Sequence, residues 1–149
     1  IARRLSRQRL MLCASPAYVE RHGQPFDVDA LKKHCCIMGY RRGAPLAWRL
    51  RPAGEREIKF ISASAHQISD GDAMLQACLA GAGIAQFPES MVNSHIDEGR
   101  LVAVMPDHMP VPVGLNVVWP RTRHLIPRVR LIVDELLSKA EKGYFGTLK

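Results

Sequence analysis

Short apolar runs alternate with helix-like segments along most of the chain, and this alternation is typical of an α/β fold. The run RLMLCAS, from Arg9 to Ser15, predicts a buried strand. Ser15 and Pro16 then supply a helix N-cap and a first-turn proline, and Gly23 provides a C-terminal stop. We therefore expect a strand followed by a two-turn helix near the start of the chain.

The next segment repeats this plan on a smaller scale. Asp27 caps a short helix in FDVDALKKH, and CCIM is a short strand. From Gly39 to Pro45 the apolar pattern dissolves, so Tyr40, Arg41 and Arg42 are predicted on a loop at a strand end. The series AWRL, RPAG and REIKFI predicts a hairpin.

The segment ISDGDAMLQACLAGAGIAQFPES, from Ile68 to Ser90, predicts a helix that packs on a sheet. Asp70 and Asp72 occur where the first helical turn needs capping oxygens and favours negative charge. The strand IAQF follows the helix and ends at Pro88. The apolar stripe of the helix consists of Met74, Leu75, Cys78, Leu79 and Ala82.

The last third of the chain predicts a short helix, two strands and a long helix. The segments are ESMVNSHIDE, RLVAVM and VGLNVVW, with PDHMPVP as a loop between the strands. The helix PRVRLIVDELLSKAEK begins with Pro127 and carries an Arg130–Asp134 pair at i,i+4 spacing. Its apolar face is expected to consist of Val129, Ile132, Val133, Leu136 and Leu137.

Charge and composition narrow the function classes. The net charge is +7, but the basic residues are scattered, and no helix-turn-helix or zinc-finger pattern is present, so we do not expect these residues to contact DNA. The charge points instead to an anionic partner. No apolar run approaches the roughly 18 residues of a membrane span, and four cysteines without C-x-x-C spacing suit reduced, buried thiols. We expect a cytoplasmic location.

Motifs for catalysis, metals or cofactors are missing from the pattern. The six histidines have no metal-ligand spacing, and no G-x-S-x-G elbow occurs. The GAG triplet lies at a helix end, where it cannot form a phosphate loop. We therefore expect no enzyme activity, no metal and no cofactor. What remains is a polar or anion site at strand ends, with Ser69 and the backbone N–H groups near Gly71 as donors.

Several ordered blocks resemble the C-terminal effector-binding domain of LysR-type transcriptional regulators. They are LMLCASPAYVERHGQPFDVDALKKHCCI, ISDGDAMLQACLAGAGIAQFPESMV, DEGRLVAVMPD and VVWPRTRHLIPRVRLIVDELL, with W-R-L between the first two. The resemblance covers nearly the whole chain, from about Leu10 to Leu137.

The resemblance implies a fold like that of type II periplasmic binding proteins, with two α/β subdomains and two crossing strands. The first subdomain would be incomplete, consisting of residues 1–15 and 115–142, whereas 16–114 would form the second and 143–149 a loose tail. The first crossing would include Cys13 and Ala14 and run through Ser15. The return crossing would run through Val117, Val118 and Trp119. Because the chain starts at Ile1, we expect an N-terminally truncated piece of a longer regulator.

The resemblance also implies that the effector contacts strand-end loops facing the cleft between the subdomains. Arg41 could bind a carboxylate or phosphate, and Phe87 could form an apolar wall; each has a structural alternative as a solvated charge or a core residue. Ser15 and Ser69 could equally be helix caps. The candidate effector contacts are Ser15, Tyr40, Arg41, Ser69, Gly71, Phe87 and Pro88.

The implied function is that of a sensor. A small effector, with an anion as one option, would favour one arrangement of the subdomains and bias a homodimer or higher oligomer, which binds operator DNA only through a missing N-terminal winged helix-turn-helix. Two alternatives stay open: a free solute-binding protein of the same fold, and a fragment of a small α/β enzyme.

Overall fold

The computed structural model describes residues 1–120 and 126–145, which form two compact units. Unit 1 consists of the described residues of Ile1–Gln8 and Pro112–Lys149, and unit 2 is Arg9–Val111. No helix in the described ranges has the length and apolar character needed to cross a bilayer. The two residue groups 121–125 and 146–149, which belong to the predicted 115–142 segment and the predicted tail, lie outside the described residues.

Ten strands and five α-helices occur within the described residues. The strands are β1 (Ala2–Gln8), β2 (Leu10–Ala14), β3 (Cys36–Arg41), β4 (Ala44–Pro45), β5 (Trp48–Leu50), β6 (Ile58–Phe60), β7 (Ala65–Ile68), β8 (Ile84–Pro88), β9 (Val102–Val104) and β10 (Val113–Val118). The helices are α1 (Pro16–His22), α2 (Val28–Leu31), α3 (Gly71–Leu79), α4 (Glu89–Asp97) and α5 (Pro127–Glu141), and a 3₁₀ helix spans Pro106–His108.

Unit 1 consists of the antiparallel pair β1–β10 and the helix α5. The register joins Ala2 to Val118 and Gln8 to Val113, with an irregularity after Arg4. Leu5 is buried, as are Val133 and Ala140 of α5. The predicted stripe of α5 is therefore only partly buried, since Ile132 is 59% exposed.

The sheet of unit 2 has the order β4-β3-β8-β2-β9, with β7 also paired to β3. β3 runs parallel to β7 and β8, whereas β2 is antiparallel to both of its neighbours, β8 and β9. Alternate residues of β2 enter different core clusters, as expected for the two-residue period of a strand. Leu12 packs with Trp48 and Phe60, and Cys13 packs with the apolar face of α3.

The local signals around α1 predicted this helix correctly. The Ser15 side chain accepts a hydrogen bond from the Tyr18 backbone N–H at 3.1 Å, and Pro16 occupies the first turn. Gly23 ends the helix with φ 74°, a backbone conformation that glycine adopts without steric cost. Asp27 caps α2 and Asp70 caps α3 in the same way.

The crossing strands differ from the sequence expectation. Cys13 pairs with Ala85 on one side and Ala103 on the other, so the Cys13–Ala14 segment lies inside the unit 2 sheet. The partner of the return segment is β1: Val117 pairs with Arg3. The remaining pairs are Val118 with Ala2 in the strand register and Trp119 N–H with the Ile1 carbonyl at 3.0 Å.

The boundaries between the two units also differ from those expected from the sequence. The chain passes from unit 1 to unit 2 between Gln8 and Arg9 and returns between Val111 and Pro112, instead of at the expected 15/16 and 114/115. The physical reason is that β2 is buried between two antiparallel neighbours, which bond its backbone groups on both sides. The whole of β2 therefore belongs to unit 2.

Candidate functional site

The candidate site lies on one edge of the unit 2 sheet. Because β3, β7 and β8 are parallel, their carboxyl ends lie at the same edge. Gly39 pairs with Ile68, so Tyr40 and Ser69 are the next residues on adjacent strands. In open α/β sheets, ligands generally bind outside the carboxyl ends of the strands, so this edge is the expected place for a binding site.

Ser69 and Gly71 are placed at this edge by the start of α3. Asp70 Oδ1 accepts the Ala73 N–H at 2.8 Å, so the Asp70 side chain is a helix cap. Ser69 and Gly71 are exposed, and among the described residues the first-turn N–H groups of Gly71 and Asp72 have no protein acceptor. These two groups are available as donors to a bound polar or anionic atom.

Tyr40 and Arg41 lie in β3 itself, which corrects the prediction of a loop. Tyr40 pairs with Pro45 and Arg41 with Ala44, and the tight turn between the strands uses positive φ angles at Arg42 and Gly43. The sequence missed this hairpin because its two strands are short and Gly39 and Pro45 read as a loop. Tyr40 is half-buried, and the Arg41 guanidinium is exposed without an ion pair among the described residues.

Phe87 and Pro88 have different environments. Phe87 is only 2% exposed and belongs to the core cluster beside α3, opposite Met11 in the register. It is a core residue, so the predicted role as the wall of an open site is wrong for this side chain. Pro88 is half-buried at the carboxyl end of β8, where it pairs with Leu10 and precedes α4.

Ser15 lies away from the other candidate effector contacts. It follows the carboxyl end of β2, which is antiparallel to β8, so it lies at the opposite edge of the sheet from Pro88. Ser15 is 3% exposed, and its hydroxyl caps α1. A Cβ on Gly81 would lie 3.3 Å from Ser15 Oγ, which confirms how closely the helix ends pack there.

Sequence reasoning missed the side chain that attaches the β5–β6 hairpin to the sheet. Gln86 of β8 accepts the Arg49 N–H with Oε1 at 3.2 Å and donates from Nε2 to the Arg49 carbonyl at 2.8 Å. A lone glutamine in a strand pattern carries no signal for such a contact, because the partner lies 37 residues away. The hairpin itself was predicted from the sequence, and the structure adds that Trp48 stacks on Phe60 with ring centroids 5.6 Å apart.

The four cysteines are free thiols. Burial, and secondarily the neighbouring Cys78, raises the pKa of Cys13 to about 12. Burial likewise raises the pKa of Cys78 to about 12 and that of Cys36 to about 11. Such thiols are poor nucleophiles and metal ligands. In the described part of the chain, no three His, Cys, Asp or Glu side chains group as metal ligands would.

The structure has a mixed sheet with flanking helices, and the chain passes from unit 1 to unit 2 and back again. These features define an α/β fold of the type II periplasmic-binding-protein-like class. The LysR substrate binding domain model matches residues 1–141, and the chain belongs to this family of effector-binding domains of LysR-type transcriptional regulators.

Individual relatives and solved structures agree with this assignment. The chain is 32% identical over 141 residues to the HTH-type transcriptional regulator YhjC of Escherichia coli, covering 91% of this chain and 46% of the relative. It is 31% identical over 141 residues to the HTH-type transcriptional repressor PA14_22550 of Pseudomonas aeruginosa, covering 93% and 44%. The chain thus spans about half the length of the curated relatives it matches.

Two regulator structures have the same fold. The full-length Vibrio cholerae virulence activator AphB superposes with a TM-score of 0.78 at 27% identity, covering 94% of this chain and 48% of that one. The regulatory domain of CrgA, a LysR-type regulator from Neisseria meningitidis, gives a TM-score of 0.77 at 26% identity, covering 94% and 68%.

Proposed function

We propose that a small effector binds at the carboxyl edge of β3, β7 and β8, and that this binding regulates transcription by the protein of which the chain is part. The observation that carries the proposal is the convergence at this edge of three parallel strand ends with the start of α3. The names of the matched relatives support a regulator over a free solute-binding protein or an enzyme.

An anionic effector fits the donors at this edge best. The Ser69 hydroxyl and the N–H groups of Gly71 and Asp72 are donors, and Arg41 adds a positive charge that can form two parallel hydrogen bonds to a carboxylate. Asp70 is already bonded within its own helix turn. The exposed carboxylate of Asp72 would turn away from such a ligand. We propose a small organic acid.

The proposed switch involves no catalysis. The effector binds one state of an oligomeric regulator more tightly than the other, and so shifts the population that binds operator DNA through an N-terminal winged helix-turn-helix domain. The proposed compartment is the cytoplasm, where a regulator meets its DNA. The energy available for the shift equals the difference in effector affinity between the two states.

Binding can be tested with the 149-residue chain and a panel of small carboxylates, using the shift in thermal unfolding midpoint as readout. A carboxylate that raises the midpoint of the wild-type chain should have a weaker effect on Ser69→Ala and on Arg41→Gln. Arg56→Gln is the matched control, because Arg56 is also exposed in unit 2 but lies in the turn between β5 and β6.

Two results would count against the proposed site. Equal effects of Arg41→Gln and Arg56→Gln would remove the guanidinium from the site. A natural full-length regulator whose affinity for operator DNA is insensitive to every carboxylate that binds the domain would contradict the switch.

A homo-oligomer is part of the proposal. Leu131 of α5 is 73% exposed and Ile132 is 59% exposed, which leaves apolar surface on a helix whose other exposed residues are mostly charged. A second copy of the chain could cover this surface. Sedimentation velocity of Leu131→Glu/Ile132→Glu should then show a smaller species than the wild type, and identical sedimentation would argue against this interface.

A further inference from the structure

A cavity of about 590 Å³ lies in unit 2 at the edge where β3 and β7 begin, opposite to the edge that carries Ser69 and Pro88. Helix α1, the loop that follows it and the residues just before β3 and β7 form its walls. The volume falls within the roughly 300–1,000 Å³ typical of small-molecule sites. This cavity is independent of the effector site proposed above.

The Tyr18 hydroxyl holds one wall of the cavity in place. Tyr18 is only 2% exposed, and its hydroxyl oxygen accepts the Cys35 N–H at 3.1 Å. The same oxygen lies 3.1 Å from His34 Nδ1 and 3.5 Å from the Cys35 carbonyl. These contacts fix the position of His34 relative to α1.

This arrangement leaves one ring nitrogen of His34, Nε2, for contact with a ligand. The Tyr18 hydroxyl has one proton, which it can donate to His34 Nδ1 or to the Cys35 carbonyl. When Nδ1 accepts, the neutral ring carries its proton on Nε2, and a protonated ring carries one there as well. Nε2 of His34 has no protein partner among the described residues.

The charged groups around the cavity are all basic. Lys33, His22 and His34 line it, and no carboxylate does so in the part of the chain that the structure describes. Burial, and then the charge of nearby His22, lower the pKa of His34. A bound anion would offset both effects.

An exposed aromatic ring lies beside these basic groups. Phe26 lines the cavity and is 79% exposed, although Pro25 next to it is buried. An apolar ligand body in contact with this ring would remove both surfaces from water. The cavity therefore offers an apolar surface next to a cluster of cationic and N–H donors.

We propose that this cavity is a second ligand site, which binds a small organic acid with its carboxylate on Lys33 and His34 and its apolar body against Phe26. The ligand class follows from the combination of basic lining residues, Lys33, His22 and His34, with an exposed aromatic ring. The domain would then have two sites for organic acids at opposite edges of one sheet. If the two sites differ in affinity, the domain responds over two ranges of acid concentration instead of one.

Benzoate is a suitable probe, with uncharged benzamide as its neutral counterpart, and the readout is amide chemical shifts of the ¹⁵N-labelled 149-residue chain. We expect saturable shifts at Lys33 and Cys35 with benzoate and much weaker ones with benzamide. Lys33→Gln should weaken benzoate binding roughly two- to fivefold, as expected for a partly exposed ion pair. Phe26→Ala should weaken the binding of benzoate as well.

The matched control is Lys32→Gln. Lys32 is the neighbouring exposed lysine, but its Nζ pairs with Asp29 at 2.7 Å and it does not line the cavity. The control should bind benzoate as the wild type does. The proposal is overturned if Lys32→Gln and Lys33→Gln weaken binding equally, if benzamide binds as well as benzoate, or if the shifts occur only near Ser69 and Gly71.

Discussion

The carboxamide of Gln86 bonds both backbone groups of Arg49, accepting its N–H at 3.2 Å and donating to its carbonyl at 2.8 Å. A side chain thus occupies the place of a neighbouring strand, and it links the β5–β6 hairpin to β8. The backbone groups of Arg49 are satisfied without extending the main sheet.

Gln86→Glu should destabilise unit 2. The glutamate keeps an acceptor for the Arg49 N–H but replaces the donating Nε2 with a second oxygen, which faces the Arg49 carbonyl. We expect a loss of about 1–3 kcal/mol in the free energy of unfolding, measured by urea denaturation with tryptophan fluorescence. Gln67→Glu, at an exposed position of β7, is the control and should change little. An equal loss in both variants would show a general charge effect.

Gly83→Ala should destabilise the chain far more than Gly71→Ala. A Cβ at residue 83 would lie 2.5 Å from the Cys35 carbonyl oxygen, which also accepts the Ile84 N–H at 2.9 Å. The methyl group must separate the beginnings of β3 and β8, at a cost of about 1–3 kcal/mol or more. At Gly71 the nearest atom would be Met91 Cε at 3.8 Å, so alanine fits. Thermal unfolding of the two variants would measure the difference.

The same Gly71→Ala variant separates folding from effector binding. We expect the free energy of unfolding without ligand to stay within about 0.5 kcal/mol of the wild type, as for other tolerated surface changes. If a ligand approaches the α3 N–H groups closely, the added methyl group should weaken its binding. Unchanged affinity for a carboxylate that binds the edge would show that Gly71 has no role there.

The buried thiols predict a loss of stability in alkali. The pKa of Cys13 and Cys78 rises from 9.0 to about 12 on burial, and that of Cys36 to about 11. Below pH 9 both folded and unfolded chains keep these thiols protonated, so their contribution is fully present. Above pH 9 the unfolded chain ionises first, and the contribution is lost as pH rises through the folded values.

By pH 10 each thiol should lower the free energy of unfolding by on the order of 1 kcal/mol. Urea denaturation at pH 8, 9 and 10 would measure this decline. Cys78→Ala removes one of the three thiols, so its stability should fall less steeply with pH than that of the wild type. Identical slopes would mean that Cys78 ionises as readily in the folded chain as in the unfolded one.

Tyr18→Phe should destabilise unit 2 without creating a large cavity. The variant keeps the buried ring but leaves the Cys35 N–H without its acceptor, which costs about 1–3 kcal/mol. Tyr144→Phe is the control, because Tyr144 is 72% exposed. The two variants can be compared by urea denaturation, and a loss as large in Tyr144→Phe would contradict this account.

Elements with local chemical signals were predictable from the sequence. Ser15, Pro16 and Gly23 define both ends of α1, because capping bonds join residues within one turn. Asp70 was correctly assigned as the cap of α3 for the same reason. The Arg130–Asp134 pair, at 3.9 Å, follows directly from helix spacing.

Strands defined by distant partners were not predictable. β1 reads as a polar, arginine-rich segment, and it is a strand because it pairs with β10 more than 100 residues later. β7 has only half-buried and exposed residues and owes its conformation to β3. The resemblance implied a crossing through Cys13–Ser15, whereas the chain passes from unit 1 to unit 2 between Gln8 and Arg9.

The candidate site was predictable only as a set of strand ends. Which edge of the sheet a strand end occupies depends on strand direction, and the sequence does not state that direction. This separates Ser15, after antiparallel β2, from Ser69, after parallel β7. The prediction for Phe87 was wrong for another reason. Side chains of β8 alternate between the two faces of the sheet, and Phe87 is buried because its face packs against α3.

The position of β2 between β8 and β9 affects how the domain forms during synthesis. β2 leaves the ribosome first among the strands of unit 2, yet both of its neighbours, β8 and β9, are made last. A nascent chain must therefore keep this apolar segment unpaired until nearly all of the unit has emerged. Contacts between residues far apart in sequence slow folding. We therefore expect chaperone binding to the nascent chain to matter most before Val104, the β9 partner of Leu12, has left the ribosome.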